Sequence, residues 1–169
     1  MKKGFFLLLT FMCFKVFAAP VEDLPRFFEV DHQQIYRGAQ PTENGLFKLK
    51  QLGMKTVLDL RNEDPAQIEQ EKKIVEGLGL KFISIPLSGF FAPKELDMAR
   101  IHNVLNTTSL KPIFIHCQHG QDRTGLVVAL HRIFSENVSV VEAKAEMLHF
   151  GFHQFLVGLN HYFEEHTED

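Results

Sequence analysis

Short, mostly apolar runs alternate with amphipathic segments along the chain from residue 34 onward. Residues 56–60 are β-branched and mostly apolar, which is typical of a strand buried on both faces. Ile68, Val75 and Leu78 recur on one helix face, behind a proline at position 65 that suits a first helical turn. The same reasoning predicts strands at residues 34–36, 81–87 and 113–115, and helices at residues 43–52, 93–105, 124–134, 139–149 and 154–165.

This alternation of strands and helices with short connections predicts an α/β fold with a central, largely parallel sheet flanked by helices. The chain has no internal repeat, low-complexity tract or linker, which indicates a single domain. In such sheets, ligands bind beyond the carboxyl ends of the strands. The loop that follows Ile115 lies at one of these ends, so functional residues are expected there.

The N-terminal segment differs from the rest of the chain. Lys2 and Lys3 precede an apolar stretch at residues 5–17 that ends in Val16-Phe17-Ala18, the pattern of a secretory signal peptide. The stretch is shorter than the roughly 20 residues that a transmembrane helix needs. We therefore predict a signal peptide at residues 1–18, a single domain at residues 19–169, no stable membrane anchor, and secretion to the periplasm or the extracellular space.

Removal of this segment changes the charge of the chain. The segment contains Lys2, Lys3 and Lys15 and no acidic residue, so its removal lowers the count of Lys and Arg from 18 to 15. With 21 acidic residues, the remaining chain has a net charge near −6. Such a charge argues against nucleic acid or an anionic membrane surface as the main partner. A monomer that binds no nucleic acid is expected.

Removal of the segment also takes away Cys13 and leaves Cys117 as the only cysteine. An unpaired thiol in an oxidising compartment is expected to be either buried and inert or functional. Cys117 follows a predicted strand, and Arg123 precedes the next predicted helix; we call residues 117–123 the cysteine loop. A tight loop at a helix N-terminus turns N–H groups inward and adds the positive end of the helix dipole, which together form a cradle for phosphate.

The residue types of the cysteine loop suit phosphate chemistry. The helix N-terminus and Arg123 favour the thiolate of Cys117, which is the nucleophilic form. Arg123 offers a planar fork to two phosphate oxygens, and Gly120 permits a backbone conformation that other residues resist. Thr124 is placed to donate a hydrogen bond to the sulfur, and His116 to orient the loop. The predicted phosphate-binding residues are Gln118, His119, Gly120, Gln121, Asp122 and Arg123.

The pattern His116-Cys117, five residues, then Arg123-Thr124-Gly125 resembles the signature of the protein tyrosine phosphatase superfamily, in its dual-specificity subgroup. The resemblance extends over residues 30–155 and, with a signal peptide in front, is greatest to bacterial periplasmic members. It implies a two-step reaction. Cys117 attacks the phosphoryl group, and water then hydrolyses the phosphocysteine, with neither a metal nor a cofactor.

The resemblance also implies a general acid, an Asp on the loop after the predicted strand at 81–87, but residues 86–93 contain no carboxylate. Asp122 is one candidate, because Gly-x-Asp-Arg-Thr resembles the loop of phosphoinositide-phosphatase branches of the superfamily. A carboxylate with a purely structural role explains Asp122 equally well. Asp97 and Asp64 are further candidates, although Asp97 falls where an acidic residue favours a first helical turn.

The leading functional hypothesis is a hydrolase, a cysteine-dependent protein tyrosine or dual-specificity phosphatase with a phosphorylated protein as substrate. A phosphoinositide, an inositol phosphate or another phosphorylated small molecule is the alternative substrate, and a non-catalytic phosphate-binding module is the rival class. Sulfur transfer and arsenate reduction fit the Arg-Thr-Gly sequence less well. A metal site at His116, Cys117 and His119 is not expected, because residues so close along a strand end cannot surround a tetrahedral ion.

Overall fold

The described part of the chain, residues 22–32 and 34–168 of a computed structural model, contains one five-stranded sheet and six α-helices. The strands are β1 (Phe28–Asp31), β2 (Ile35–Gly38), β3 (Thr56–Asp59), β4 (Lys81–Ser84) and β5 (Ile113–His116). The helices are α1 (Glu43–Gln51), α2 (Pro65–Gly77), α3 (Glu95–Asn106), α4 (Asp122–Glu136), α5 (Val140–His149) and α6 (Val157–Glu165). The predicted signal peptide lies outside the described residues. Within them, every helix is too short or too polar to cross a membrane.

Four of the strands are parallel, which confirms the predicted fold class. The strand order is β1-β2-β5-β3-β4, so β5 lies at the centre between β2 and β3. At one edge, β1 pairs antiparallel with β2, where Phe28 faces Arg37. The sequence pattern does not predict β1, because it has only four residues and none of them is fully buried.

The central strand β5 carries the chain to the cysteine loop. All four residues of β5 are buried, and its last residue, His116, lies opposite Gly38 of β2 and Asp59 of β3. The carboxyl ends of three neighbouring strands therefore meet where the cysteine loop begins, the usual position of a ligand site in a sheet of this kind.

Helix α4 begins within the cysteine loop, and both faces of the helix pack against other elements. Its residues from Arg123 to His131 are all buried. Val127 and Val128 belong to the core cluster that includes residues of β5, whereas Leu126 and Leu130 pack with residues of α5 and α6. The prediction of a central helix, apolar nearly all round, is confirmed. Packing on both sides fixes the N-terminus of α4 against the end of the sheet.

Side-chain caps begin three of the helices, α1, α2 and α5. Thr42 caps α1, since its Oγ1 accepts a hydrogen bond from the N–H of Gly45 at 3.0 Å. A reciprocal capping box between Ser139 and Glu142 opens α5. Helix α4 begins at Asp122, two residues before its predicted start, so Asp122 and Arg123 both belong to its first turn.

Candidate active site

Cys117 lies at the junction between β5 and the N-terminus of α4. Its side chain is only 2% exposed, and the N–H of Gly120 donates a hydrogen bond to its Sγ at 3.3 Å. Helix α4 runs for 15 residues from Asp122, so the positive end of its dipole lies beside the sulfur. Both features stabilise a thiolate, the form that attacks phosphorus.

Gly120 closes the cysteine loop against strand β2. Its φ of +68° lies in the left-handed region, where glycine carries no steric cost. A Cβ at this position would also lie 2.5 Å from the carbonyl carbon of Gly38, closer than non-bonded atoms approach. The conformational role predicted for Gly120 is confirmed, and the close approach to β2 is a second reason for glycine here.

Arg37, at the carboxyl end of β2, holds the cysteine loop from behind. Its Nη2 donates a hydrogen bond to the carbonyl oxygen of Gly120 at 2.9 Å, and its guanidinium lies 4.2 Å from the ring centroid of Phe150. Burial lowers the pKa of Arg37 to about 10, against the opposing effects of Glu146 and Cys117. The side chain therefore stays charged at neutral pH. The strand predicted at residues 34–36 ends before Arg37, and sequence reasoning missed this contact.

The guanidinium of Arg123 is paired with a carboxylate from the loop after β3. Nη2 of Arg123 lies 2.7 Å from Oε1 of Glu63, and Nη1 donates to Oε2 at 2.9 Å, to Asn62 Oδ1 at 3.3 Å and to the Leu87 carbonyl at 3.4 Å. Burial raises the pKa of Glu63, but the hydrogen bond and charge of Arg123, together with hydrogen bonds to the backbone of Glu63 and Asn62, hold that pKa below its usual value. Glu63 thus occupies the guanidinium edge that is predicted to bind phosphate.

His116 contacts a buried group of charged residues behind the cysteine loop. Its Nε2 lies 2.9 Å from Oε1 of Glu71, and its Nδ1 lies 3.3 Å from the carbonyl oxygen of Cys117. Arg61 binds both oxygens of Asp59 and lies 2.6 Å from Oε2 of Glu71. His116 is therefore held between Glu71 and the backbone of Cys117, a position that suits the orienting role predicted for it.

Thr124 does not make the contact predicted for it. The residue is buried in the first turn of α4, but its Oγ1 has no hydrogen-bond partner among the residues that the structure describes. The sulfur of Cys117 instead accepts its hydrogen bond from the backbone of Gly120. The predicted Thr124 hydrogen bond to sulfur is therefore wrong for this structure.

Asp122 is paired with a histidine from the C-terminal part of the chain. Its Oδ1 accepts a hydrogen bond from the backbone N–H of His153 at 2.8 Å and lies 3.0 Å from Nδ1 of the same histidine. Sequence reasoning missed His153, because 31 residues separate the two and no local pattern connects them.

The other two candidate acids have partners of their own. Asp64 caps α2, where its Oδ1 accepts a hydrogen bond from the N–H of Gln67 at 3.2 Å. Asp97 lies in the first turn of α3 and 3.5 Å from Arg100 of the same helix. Helix capping therefore accounts for Asp64, and the first-turn position for Asp97.

A cavity of about 280 Å³ lies over Cys117 and Arg123; we call it the Cys117 pocket. Asp122 is the only one of the three candidate acids that lines it. The side chain of Gln121 does not, since it donates a hydrogen bond to the Gly151 carbonyl at 3.2 Å. Among the other lining residues, the polar ones are Glu63, His119 and His153, and the apolar side is formed by Gly89, Phe90, Phe155 and Leu156.

A cysteine and an arginine at the two ends of a short loop, between the central strand of a parallel sheet and a buried helix, define the class of cysteine-dependent phosphatases. The chain belongs to the family described as DSP-PTPase phosphatase fused to NAD+ kinase, whose model matches residues 21–156. Resemblance to the dual-specificity subgroup of the tyrosine phosphatase superfamily is thereby confirmed.

Two curated proteins illustrate this membership. The chain is 29% identical over 123 residues to the dual specificity protein phosphatase TpbA of Pseudomonas aeruginosa PAO1, an alignment that covers 70% of the chain and 51% of TpbA. It is 32% identical over 97 residues to the probable NAD kinase 2, chloroplastic, of Oryza sativa subsp. japonica, which covers 56% of the chain and 10% of the rice protein. The chain therefore spans about half the length of the first relative and a small part of the second.

Solved structures have the same fold. The core catalytic domain of the PP-IP phosphatase Siw14 from S. cerevisiae superposes with a TM-score of 0.68 at 23% identity, covering 83% of this chain and 87% of that one. The crystal structure of P. aeruginosa TpbA gives 0.66 at 24% identity, with 82% and 83% covered. At these identities the likeness establishes the architecture, and the chemistry rests on the residues of the site.

Proposed function

We propose that this protein hydrolyses phosphate monoesters through a phosphocysteine intermediate. The observation that carries the proposal is the hydrogen bond from Gly120 N–H to the Sγ of Cys117, at a helix N-terminus, with Arg123 in the same pocket. The thiolate attacks phosphorus, an S–P bond forms, and the P–O bond to the leaving group breaks as that oxygen takes up a proton. Water then attacks the phosphorus of the phosphocysteine, the S–P bond breaks, and inorganic phosphate and the free Cys117 thiolate are released.

Turnover of p-nitrophenyl phosphate in the presence of a chelator tests this proposal. The purified protein is expected to hydrolyse it and to be inhibited by vanadate, whereas Cys117→Ser and Arg123→Ala abolish turnover. Full activity in Cys117→Ser would refute the phosphocysteine mechanism. An inactive but vanadate-binding wild-type protein would instead favour the non-catalytic phosphate-binding module. Activity that the chelator removes would contradict the prediction that no metal takes part.

We further propose that the proton for the leaving group comes from the pair of Asp122 and His153. The Oδ1 of Asp122 faces the Nδ1 of His153, and a carboxylate in this position holds a proton on Nδ1. The other ring nitrogen, Nε2, is then the one that delivers a proton when the imidazole is charged. Both residues line the Cys117 pocket, and the side chain of His153 is 43% exposed, so a leaving group can reach it.

The pH–rate profile distinguishes this pair from the other candidates. His153→Gln and Asp122→Asn are each expected to lower kcat by roughly 10²–10⁴-fold for alkyl phosphates and to flatten the basic limb of the profile. A leaving group that needs no proton, such as p-nitrophenolate, should be affected much less. Asp97→Asn and Asp64→Asn are the matched controls. If one of these two flattens the basic limb and the pair does not, the assignment is wrong.

For the substrate, we propose phosphotyrosine in a protein. Phe90 and Phe155 lie at the Cys117 pocket with 73% and 76% of their surfaces exposed, so they can stack on a phenyl ring. A variant of TpbA, which has the same fold, has been crystallised in complex with pTyr. This complex supports phosphotyrosine as the substrate class proposed for the present chain. Phe155→Ala should raise KM for phosphotyrosine peptides by roughly 2–10-fold, while KM for glycerol phosphate stays unchanged. Phe134→Ala, another exposed phenylalanine, is the control.

An inositol phosphate is the second candidate, favoured by His119 and His153 on the polar side of the pocket. Siw14, one of the structural neighbours, is described as a PP-IP phosphatase. Comparison of kcat/KM for phosphotyrosine peptides, phosphoserine peptides and inositol phosphates decides between the two. Preference for inositol phosphates, lowered by His119→Gln and unaffected by Phe155→Ala, would overturn the phosphotyrosine proposal.

We propose that the protein acts outside the cytoplasm, on the basis of the basic and apolar pattern of residues 1–18. Expression of the full chain with a C-terminal tag, followed by cell fractionation and intact-mass measurement, tests this location. The expected product begins at Ala19 and is found in the periplasm or medium. An unprocessed chain in the cytosol would refute it.

A further inference from the structure

A second cluster of ionisable side chains lies away from the Cys117 pocket, where the C-terminal half of α4 meets the end of β1. Asp31 comes from β1, and His131 and Glu136 come from α4 and its last turn. Each offers one ligand atom, and the three atoms all lie within 4.8 Å of one another. None of the three lines the Cys117 pocket.

Polar atoms in this cluster are buried without hydrogen bonds. His131 is 4% exposed, and neither of its ring nitrogens has a hydrogen-bond partner within the described ranges. The same holds for Oε1 of Glu136, which lies 3.4 Å from Nε2 of His131 without the alignment of a hydrogen bond. Buried nitrogen and oxygen atoms nearly always have a partner, either in the protein or in a bound water or ion. Two such atoms that face each other therefore indicate a missing partner between them.

The spacing of these atoms fits a small cation. A tetrahedral Zn²⁺ with bonds of about 2.0–2.2 Å keeps neighbouring ligand atoms roughly 3.4 Å apart, and Nε2 of His131 lies 3.4 Å from Oε1 of Glu136. Asp31 is partly exposed at a strand end, so rotation of its side chain can close the remaining gap. We propose that Asp31, His131 and Glu136 bind a divalent transition-metal ion, for which Zn²⁺ is the best fit.

The pairing of Glu136 leaves one of its oxygens available to a cation. Arg132 pairs with the other oxygen, Oε2, while Oε1 is buried with no hydrogen-bond partner among the described residues. Nε2 of His131 is buried and unpaired in the same part of the structure. A cation bound here would supply the partner that both atoms lack.

The buried group behind the cysteine loop offers a useful contrast. Asp59, Glu71 and His116 also bring three ligand atoms within 4.8 Å of one another. There, however, Arg61 bridges the two carboxylates, and the facing atoms that remain, Nε2 of His116 and Oε1 of Glu71, lie only 2.9 Å apart, closer than two ligands of one tetrahedral Zn²⁺. At the cluster of Asp31, His131 and Glu136, Arg132 pairs with Oε2 of Glu136, and the facing atoms lie 3.4 Å apart.

The test is metal binding by the full chain with Cys117→Ser, made together with Cys13→Ser so that neither thiol of the sequence competes for Zn²⁺. After chelator treatment, calorimetric titration with ZnCl₂ is expected to show one ion per chain, and CoCl₂ to give the visible absorption of a four- or five-coordinate site. His131→Gln should weaken binding at least roughly tenfold. His161→Gln is the matched control, because it removes another histidine that faces a glutamate, on the exposed face of α6.

Asp31→Asn is a second variant in case His131→Gln does not fold, because Asp31 is partly exposed and its replacement should disturb the fold less. It too should weaken Zn²⁺ binding at least roughly tenfold. Each variant is checked by far-ultraviolet circular dichroism before titration. Absence of stoichiometric binding in the protein with Cys13→Ser and Cys117→Ser overturns the proposal, as does equal affinity in the His131→Gln and Asp31→Asn variants. Tighter binding of Ca²⁺ than of Zn²⁺ also overturns it, because imidazole is a poor ligand for a hard cation.

Discussion

Two charged residues that local sequence patterns do not connect control the chemistry of the site. Glu63 pairs with Arg123 across 60 positions of the chain, and Arg37 reaches Gly120 across 83. Both contacts exist because β5 lies between β2 and β3, so residues at or just after the carboxyl ends of those strands converge on the cysteine loop. One contact competes with phosphate, and the other holds the loop that binds it.

Removal of the Glu63 charge should strengthen binding of phosphate analogues. In Glu63→Gln, the two Nη atoms of Arg123 lose their carboxylate partner, so vanadate no longer competes with a negative charge for them. A partly exposed ion pair is worth about 0.2–1 kcal/mol, so the vanadate Ki is expected to fall by roughly 1.5–5-fold. Because Arg123 holds the pKa of Glu63 below its usual value, the carboxylate is ionised at pH 5 as well as at pH 7, and the effect should be present at both.

The control for this measurement is Glu69→Gln, which removes an exposed acid of α2 that lies 3.9 Å from Lys72. It should leave the vanadate Ki unchanged. A Ki that rises in Glu63→Gln would show instead that Glu63 positions Arg123 for the ligand.

Replacement of Arg37 should separate activity from stability. Arg37→Met keeps an unbranched side chain, although a shorter one, and it removes a buried charge and the hydrogen bond to Gly120. Relief from the buried charge offsets part of the lost packing, so the thermal midpoint should change by a few degrees at most, while kcat falls about tenfold or more.

Arg26→Met is the matched control, since Arg26 donates to the Phe150 carbonyl from the exposed side at 3.3 Å. Circular dichroism melting and steady-state kinetics give the two readouts. An unchanged kcat in Arg37→Met would show that the Gly120 carbonyl does not need its partner.

At the level of elements, the features that depend on a few neighbouring residues could be predicted from the sequence. The features that depend on contacts between distant segments could not. The apolar run of β3, the Thr42 cap of α1 and the Ser139 start of α5 are all visible in the sequence, because each depends on neighbours within one turn or one strand. Strand β1 and the pair of Asp122 and His153 are not visible, since each exists only after distant segments meet. The identity of the cysteine loop was predictable, whereas its supporting contacts were not.

The close packing of the cysteine loop on β2 can be tested by adding one methyl group to Gly120. Gly120→Ala adds a Cβ at a positive φ and 2.5 Å from the Gly38 carbonyl carbon, so it should abolish turnover and destabilise the protein. Gly53→Ala is the matched control. Gly53 also has a positive φ, +84°, but no heavy atom lies within 4 Å of its added Cβ.

In urea denaturation, Gly53→Ala should cost about 1 kcal/mol from backbone strain alone, with turnover retained. Gly120→Ala should cost clearly more. Equal losses of stability in the two variants, with activity kept in both, would contradict the close packing of the loop on β2.

At the level of the whole molecule, the segment after α5 joins the C-terminal part of the chain to the cysteine loop. His153 binds Asp122, the Gly151 carbonyl accepts from Gln121, and the ring of Phe150 lies over Arg37. Residues 150–153 therefore contact the C-terminal end of the loop and its support on β2. A ligand that orders the loop should also order this segment.

Hydrogen exchange with and without vanadate tests this coupling. The amide of His153, which donates to Asp122, should exchange several-fold more slowly in the presence of vanadate, together with the amide of Gly120. Amides of α1 serve as the reference, because none of the loop contacts described above involves this helix. Protection confined to residues 117–123 would show that the C-terminal segment does not respond to the ligand.

The position of Cys117 also has a consequence for oxidative damage. It is the only cysteine among residues 22–32 and 34–168, and a sulfur placed for nucleophilic attack on phosphorus is also a nucleophile toward peroxide. A sulfenic acid formed there would find no second thiol in this part of the chain to convert it into a disulfide. Recovery would depend on a small thiol from the surroundings, and continued exposure to peroxide would carry the sulfur to the sulfinic acid and permanent loss of activity.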